Sequence, residues 1–334
     1  MSERDAIAWN ENEVAELAAK VDALKRSMGR VIIGQENVIE LLITCLLAGG
    51  HALVEGVPGL GKTLLVKSLA QATDMEFRRV QFTPDLMPSD IVGTEILEED
   101  VESHQRVFRF QQGPVFTQVL LADEINRAPP KTQSALLEAM QERAVTFAGT
   151  THRLPKPFFV LATQNPIEQA GTYPLPEAQL DRFLLRIDVG YPTEEEEVLM
   201  VSRTTHAGLD DAEPAMDVAT LLRLQLLVRD IEIGEHLLRY ATRLVRATRP
   251  GETSVPAVQK HIGWGAGPRA GQALVLASKA RALMHGRLAV TREDIGAMLL
   301  PVLAHRVLRN FEAEADGIEI ADILQSLRRE IKVD

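Results

Sequence analysis

The chain has 334 residues, with 36 Lys and Arg against 47 Asp and Glu and a formal net charge of −11. That acidic balance argues against a surface coated for nucleic acid, and a single cysteine rules out a disulfide framework. No uninterrupted apolar stretch approaches the length of a membrane span, so stable membrane insertion is not expected, and the length exceeds what one small core serves, which suggests two domains.

The opening Met1-Ser2-Glu3-Arg4-Asp5 lacks the pattern of a signal peptide, and a cytoplasmic location is the simple expectation. Residues 11–29 place Val14, Leu17, Val21, Leu24 and Met28 at three- and four-residue steps, which predicts an amphipathic helix. Val31-Ile32-Ile33-Gly34-Gln35 follows, and then a helix from Glu36 to Leu47 that Gly49-Gly50 stops. Cys45 lies inside it and reads as a buried thiol. His51 reads as a polar lead-in to the apolar run Ala52-Leu53-Val54-Glu55, a strand that enters Gly56-Val57-Pro58-Gly59-Leu60-Gly61-Lys62-Thr63. These eight residues fit the G-x-x-x-x-G-K-[ST] pattern, and the helical text from Leu64 to Ala70 completes a strand–loop–helix. Glycines let backbone N–H groups converge on a phosphate, and the helix N-terminus adds free donors and a favourable dipole. Lys62 is placed to reach the β- and γ-phosphates and Thr63 to hold Mg²⁺.

Met75–Phe82 is a second strand, followed by turn text at Thr83-Pro84-Asp85 and Met87-Pro88-Ser89-Asp90. Val107-Phe108-Arg109-Phe110 alternates like a hairpin arm. Val119–Ala122 is a buried strand ending in Asp123-Glu124, and a helix runs from Pro130 to Gln141. Ala144–Phe147 and Thr151–Leu154 form a second hairpin across Ala148-Gly149. Phe158–Thr163 is a core strand ending in Gln164-Asn165-Pro166, and Leu184–Val189 is the last strand. Five core strands alternating with helices predict an α/β layer with a mostly parallel sheet. From Thr193 the text turns helical. Glu194–Glu197 opens a helix, Pro268 starts one through Met284, and Thr291 with Asp294 begins another. The expected division is 1–208, an α/β core with its N-terminal helix, and 209–334, an all-α lid.

Asp123 and Glu124 end a buried strand, the ligand edge of a parallel sheet. Asp123 is placed to touch the metal ion or its water, and Glu124 is the candidate general base for an attacking water. Asn165 ends the next strand, where its amide could orient that water; a turn-forming Asn before proline is the plain alternative. Arg182, in Leu180-Asp181-Arg182-Phe183, can neutralise charge on a transferring phosphoryl group, with a salt bridge to Asp181 as its alternative role. Arg269 sits in a helix's first turn, where it opposes the dipole unless a phosphate binds there. His206, His236 and His305 show no metal-ligand spacing, and Glu138 with Glu142 reads as a solvated face.

In this order and spacing the motifs resemble a bacterial MoxR-type member of the AAA+ ATPases, over residues 14–330. Gly56–Thr63 resembles its Walker A, and Leu120-Leu121-Ala122-Asp123-Glu124-Ile125-Asn126-Arg127-Ala128 its Walker B. Ala162–Pro166 resembles sensor 1, Leu175–Phe183 the arginine-finger segment, and Gly265–Ala270 sensor 2. The resemblance implies a P-loop NTPase core followed by a lid, with ATP and Mg²⁺ as ligands. Lys62, Glu124, Asn165, Arg182 and Arg269 would serve catalysis, and Thr63 and Asp123 the metal. Gly34, Gln35, Gly56, Pro58, Gly59, Leu60, Gly61, Lys62, Thr63, Leu64 and Arg269 would line the nucleotide, with Gly34 and Gln35 beside the adenine. It further implies a homo-hexameric ring in which Arg182 acts on the neighbour's site and Arg269 on its own. Residues 83–113 would be an insertion and 143–154 a hairpin before sensor 1. The implied work is chaperone-like remodelling or activation of a client protein, including metal-cofactor insertion, beside a von Willebrand factor A-domain partner. One departure is visible: Gly267 stands where the family usually has serine, so the side-chain cap is lost. The rival readings are a magnesium-chelatase-like ATPase subunit, a nucleic-acid motor and a nucleotide-gated scaffold.

Overall fold

The computed structural model describes residues 9–99, 106–165, 171–205 and 211–333. Helix α1 (Glu11–Val31) starts under a capping box: the Asn10 side chain accepts from the Glu13 N–H, and the Glu13 carboxylate accepts from the Asn10 N–H. Its buried stripe contains Leu17, Val21, Leu24 and Met28. Helix α2 (Glu36–Leu47) is apolar on almost every side because it is covered on almost every side. The sheet packs against one flank and a lid helix against another. Burial among these side chains drives the Cys45 thiol pKa well above its ordinary value.

The core then runs β1 (Ala52–Gly56), α3 (Lys62–Ala72), β2 (Phe77–Gln81), α4 (Pro88–Val92), the hairpin β3 (Gly93–Glu99) and β4 (Arg106–Gln112), and β5 (Val119–Asp123). It continues with α5 (Pro130–Glu142), the hairpin β6 (Ala144–Phe147) and β7 (Thr150–Arg153), β8 (Phe159–Gln164), α6 (Glu177–Leu180), β9 (Leu185–Val189) and α7 (Glu194–Thr205). β2, β5, β8, β1 and β9 lie side by side in that order, all parallel. The inner strands are continuous apolar runs, as strands covered on both faces must be.

The C-terminal part carries α8 (Val218–Asp230), α9 (Glu235–Arg246), α10 (Pro256–His261), β10 (Ile262–Trp264), α11 (Pro268–Met284), α12 (Arg292–Leu303), β11 (Leu308–Arg309), α13 (Phe311–Ala315) and α14 (Ile320–Glu330). It is helical, as its texture predicts, with one addition: β10 and β11 pair antiparallel as a short ribbon. The expected division at 208/209 lies outside the described residues, as do His206 and Pro166. One apolar cluster runs from α1 and α2 through one face of the sheet into the lid helices, and a second fills the other face beneath α5. Among the described residues no helix is long and apolar enough to cross a membrane.

Candidate active site

The glycines of the loop after β1 are set by geometry. Gly59 and Gly61 have φ of 87° and 73°, left-handed values that glycine adopts without strain. A Cβ on Gly56 would stand 2.6 Å from the Val189 carbonyl oxygen, so only glycine lets β1 turn out of the sheet beside β9. Gly61 is the N-cap of α3 and offers no side-chain cap, so the first N–H groups of this helix stay available to an anion. The Lys62 ammonium donates to the Gly56 carbonyl, folding back across the loop. Partial burial lowers the Lys62 pKa, while the charges of Asp123, Glu124 and Glu55 act in the opposite direction.

Parallel pairing brings the acids to the same sheet edge. Gln81 lies opposite Asp123 across β2 and β5, and Glu55 opposite Gln164 across β1 and β8. Asp123 receives Thr163 Oγ1 at 2.6 Å on one oxygen and Arg79 Nη2 at 2.6 Å on the other. The same Thr163 hydroxyl accepts from the Glu124 N–H at 2.8 Å. Glu124 takes a left-handed backbone, φ 55°, which turns its chain sharply at the strand end. Its Oε2 accepts from Gln81 Nε2 at 2.8 Å and pairs with Arg127 Nε at 3.0 Å. Asn165 is buried immediately after β8, one strand over. Arg79, Gln81 and Thr163 were not singled out from sequence; polar residues at the end of β2, and a threonine in an otherwise apolar strand, were the available signals.

A cavity of about 700 Å³ opens beside the loop, lined by Val31, Ile32, Ile33 and Gln35 on one side, Leu60, Gly61 and Leu64 on another, and Met200 and Arg203 of α7 on a third. Gln35 and Gly34 are both left-handed, at φ 54° and 65°, and turn the chain between α1 and α2; Gln35 lines the cavity, whereas Gly34 is not in its lining and abuts the Glu196 side chain. Its mixed apolar and polar lining and its junction with the loop suit a flat heterocycle joined to a phosphate tail. The α7 contribution was not anticipated, because a helix opening on four glutamates gives no sign that Met200 and Arg203 face inward. Pro58 and Gly59 are exposed at the loop's tip.

Arg269 occupies the first turn of α11, with Gly267 as an N-cap that provides no side-chain bond. Its Nη1 lies 4.0 Å from Asp181 Oδ2, and the side chain is 59% exposed. Arg182 is half-buried after α6, and its Nε is buried with no hydrogen-bond partner among the described residues. Asp181 pairs with Arg306, Nε to Oδ1 at 2.7 Å; no ion pair links Asp181 to Arg182 among those described. Thr63 and Asp123 carry the oxygen donors that a hard cation takes, although Asp123 has one oxygen on Thr163 and the other on Arg79 and must give up the latter to bind one. Among the described residues no three His, Cys, Asp or Glu side chains converge on a point. Mg²⁺ at a nucleotide needs no such group, since phosphates and water supply most of its ligands.

His51 proved to be more than a lead-in. It is buried, its Nδ1 accepts from the Val160 N–H at 3.0 Å, and burial pushes its pKa down to about 4. It is therefore a neutral pin between the start of β1 and β8.

Residues 51–185 match the model of the ATPase family associated with various cellular activities (AAA), and residues 256–327 match that of the AAA lid domain. The chaperone MoxR1 of Mycobacterium tuberculosis is 44% identical over 306 residues, covering 90% of this chain and 80% of the relative. Protein MoxR of Paracoccus denitrificans is 32% identical, covering 89% and 91%. A crystal structure of a Cytophaga hutchinsonii protein aligns with a TM-score of 0.90 at 41% identity, covering 97% of this chain and 98% of that one.

Proposed function

This chain belongs to the MoxR family of AAA+ ATPases, and we propose from that premise that it couples magnesium-dependent ATP hydrolysis to the remodelling or activation of a client protein. The observation that carries the reading is that parallel pairing puts the glycine-built loop and Lys62 after β1 at the same sheet edge as Asp123 and Glu124 at the end of β5. The α3 N–H groups and Lys62 bind the phosphates, and the cavity between Gln35, Leu64 and Arg203 receives the base. Magnesium, held by Thr63 and Asp123, would neutralise charge on the phosphate oxygens. Glu124 accepts the proton of the attacking water once its carboxylate leaves Gln81 and Arg127, and Asn165 orients that water. Arg269 of the same chain and Arg182 of an adjacent copy balance charge on the transferring phosphoryl group.

Arg182 makes no ion pair among the described residues, and its action on the neighbouring site, in a ring with sites at subunit boundaries, is proposed on the family resemblance; a hexamer is the proposed assembly. Release of phosphate would remove a ligand common to Arg182, Arg269 and Asn165, so the lid would turn against the core and move a client. A chaperone among the relatives supports this output over a nucleic-acid motor, as does the net charge of −11. The client and a von Willebrand factor A-domain partner are proposed on the family resemblance alone. The test is affinity capture from the native cell with Glu124→Gln in ATP, beside the parent protein. The expected result is a protein client, with any A-domain partner, retained by the variant and released by the parent. Recovery of nucleic-acid-bound proteins alone would overturn the reading.

A further inference from the structure

The lid holds the chain segment around Arg182 through one buried arginine that no motif accounts for. Arg306 follows α12, is only 8% exposed, and reaches a stretch of chain more than 120 residues earlier. Its Nε donates to Asp181 Oδ1 at 2.7 Å, its Nη1 to the Leu184 carbonyl at 3.1 Å, and its Nη2 to the Phe183 and Asp181 carbonyls. Nη1 also donates to the Val302 carbonyl, which ties the guanidinium to the last turn of its own helix. Next to it, His305 Nε2 lies 3.1 Å from the Phe183 carbonyl. Lid contacts therefore fix the backbone on both sides of Arg182. Arg269 Nη1 also approaches Asp181, to 4.0 Å from its other carboxylate oxygen. One carboxylate thus stands between the cation proposed to sense this chain's own nucleotide and the cation that grips the segment proposed to serve the next site.

We propose that Arg306 is a positioning residue for Arg182, and that Asp181, shared between Arg306 and Arg269, transmits the state of one nucleotide site to the finger that completes its neighbour's. This rests on the reading of Arg182 as acting in trans. The physical reasoning is geometric. A planar guanidinium that donates to three carbonyls and a carboxylate of one short segment has a defined position, and so does the segment. When Arg269 turns to a phosphate it withdraws from Asp181. The carboxylate then rests on Arg306 alone, and the segment bearing Arg182 shifts with it. A displacement of about 1 Å at such a group is worth up to about 10²-fold in rate.

The proposal predicts a split that a merely structural residue would not produce. Arg306→Gln should lower kcat about tenfold or more while the chain keeps the part of its ATP affinity that Lys62 and the α3 N-terminus supply. Mixed with Glu124→Gln subunits, whose own sites are inactive but whose Arg182 is properly held, the Arg306→Gln subunits should regain turnover. Arg182→Ala subunits should show the same pattern and serve as the control. Because Arg306→Gln removes a buried cation and could unfold the lid, Asp181→Asn, which keeps shape and removes charge, is measured in parallel with its thermal midpoint. If Arg182→Ala is rescued by mixing but Arg306→Gln and Asp181→Asn, both folded, are not, the positioning role is wrong. If Arg306→Gln does not fold, Asp181→Asn decides alone. If Arg182→Ala itself is not rescued, the trans reading fails first.

Discussion

Gln81 Nε2 donates to Glu124 Oε2 at 2.8 Å, so the carboxylate proposed as general base is held by an amide from the edge strand β2. The pairing follows from register: Gln81 lies opposite Asp123, the last residue of β5, within reach of the residue that follows the strand. Arg127 Nε stands at 3.0 Å from the same oxygen, so the base is drawn from its water by two donors, and hydrolysis requires that both let go. Gln81→Ala should therefore raise the basal ATPase rate severalfold, about what a modest hydrogen bond to a charged group is worth in partly solvated surroundings. Nucleotide affinity should stay unchanged, and steady-state turnover beside equilibrium binding of a fluorescent ATP analogue checks both.

Asp294 is fully buried at the start of α12 and takes Arg281 Nη1 at 2.7 Å and Arg287 Nη1 at 2.6 Å. Burial alone would raise its pKa, but the bonds from Arg287, Thr291 and Arg281 outweigh it and hold the carboxyl down at about 2. Asp294→Asn leaves Arg287 without its counter-charge and Arg281 with only Glu40, 3.4 Å from its Nε. The expected loss is about 3 kcal/mol, read as a drop in the urea midpoint with an unchanged slope.

His51 and His305 are both buried neutral, with their pKa values lowered by burial, His51 to about 4. A depressed histidine contributes stability that is complete above its unfolded value near 6.5 and is lost as pH falls through its folded value. Unfolding free energy should therefore decline between about pH 6.5 and pH 4. His51 alone accounts for roughly 3 kcal/mol of that decline. His51→Gln should fold with a shallower slope over that window, measured by urea denaturation at several pH values.

The parts of this molecule that could be read in its sequence are those whose causes are local. The left-handed Gly59 and Gly61, the cap at Thr291 with Asp294, and the Pro268 start of α11 each follow from chemistry within a few residues. The strands, though not their order in the sheet, were foreshadowed by apolar runs too short and too buried to be helices. What escaped has distant causes. Arg306 sits in Leu303-Ala304-His305-Arg306-Val307, where nothing nearby marks it, and its partners lie across the chain. The ribbon of β10 and β11 spans three residues paired with two, below the length at which alternation is visible. Arg79 gains its meaning only when β2 is laid beside β5, which brings its guanidinium to Asp123.

The central claim is that Glu124 activates water against a triphosphate held by Lys62 and the α3 N-terminus. Its most direct test is steady-state ATP turnover, with ATP binding measured alongside, in the parent and in Glu124→Gln. The account predicts that the variant binds ATP as tightly as the parent and turns it over about 10² to 10⁴ times more slowly, the usual contribution of a positioned general base. Equal, slow turnover in both proteins, or no binding of MgATP by the parent, would contradict it.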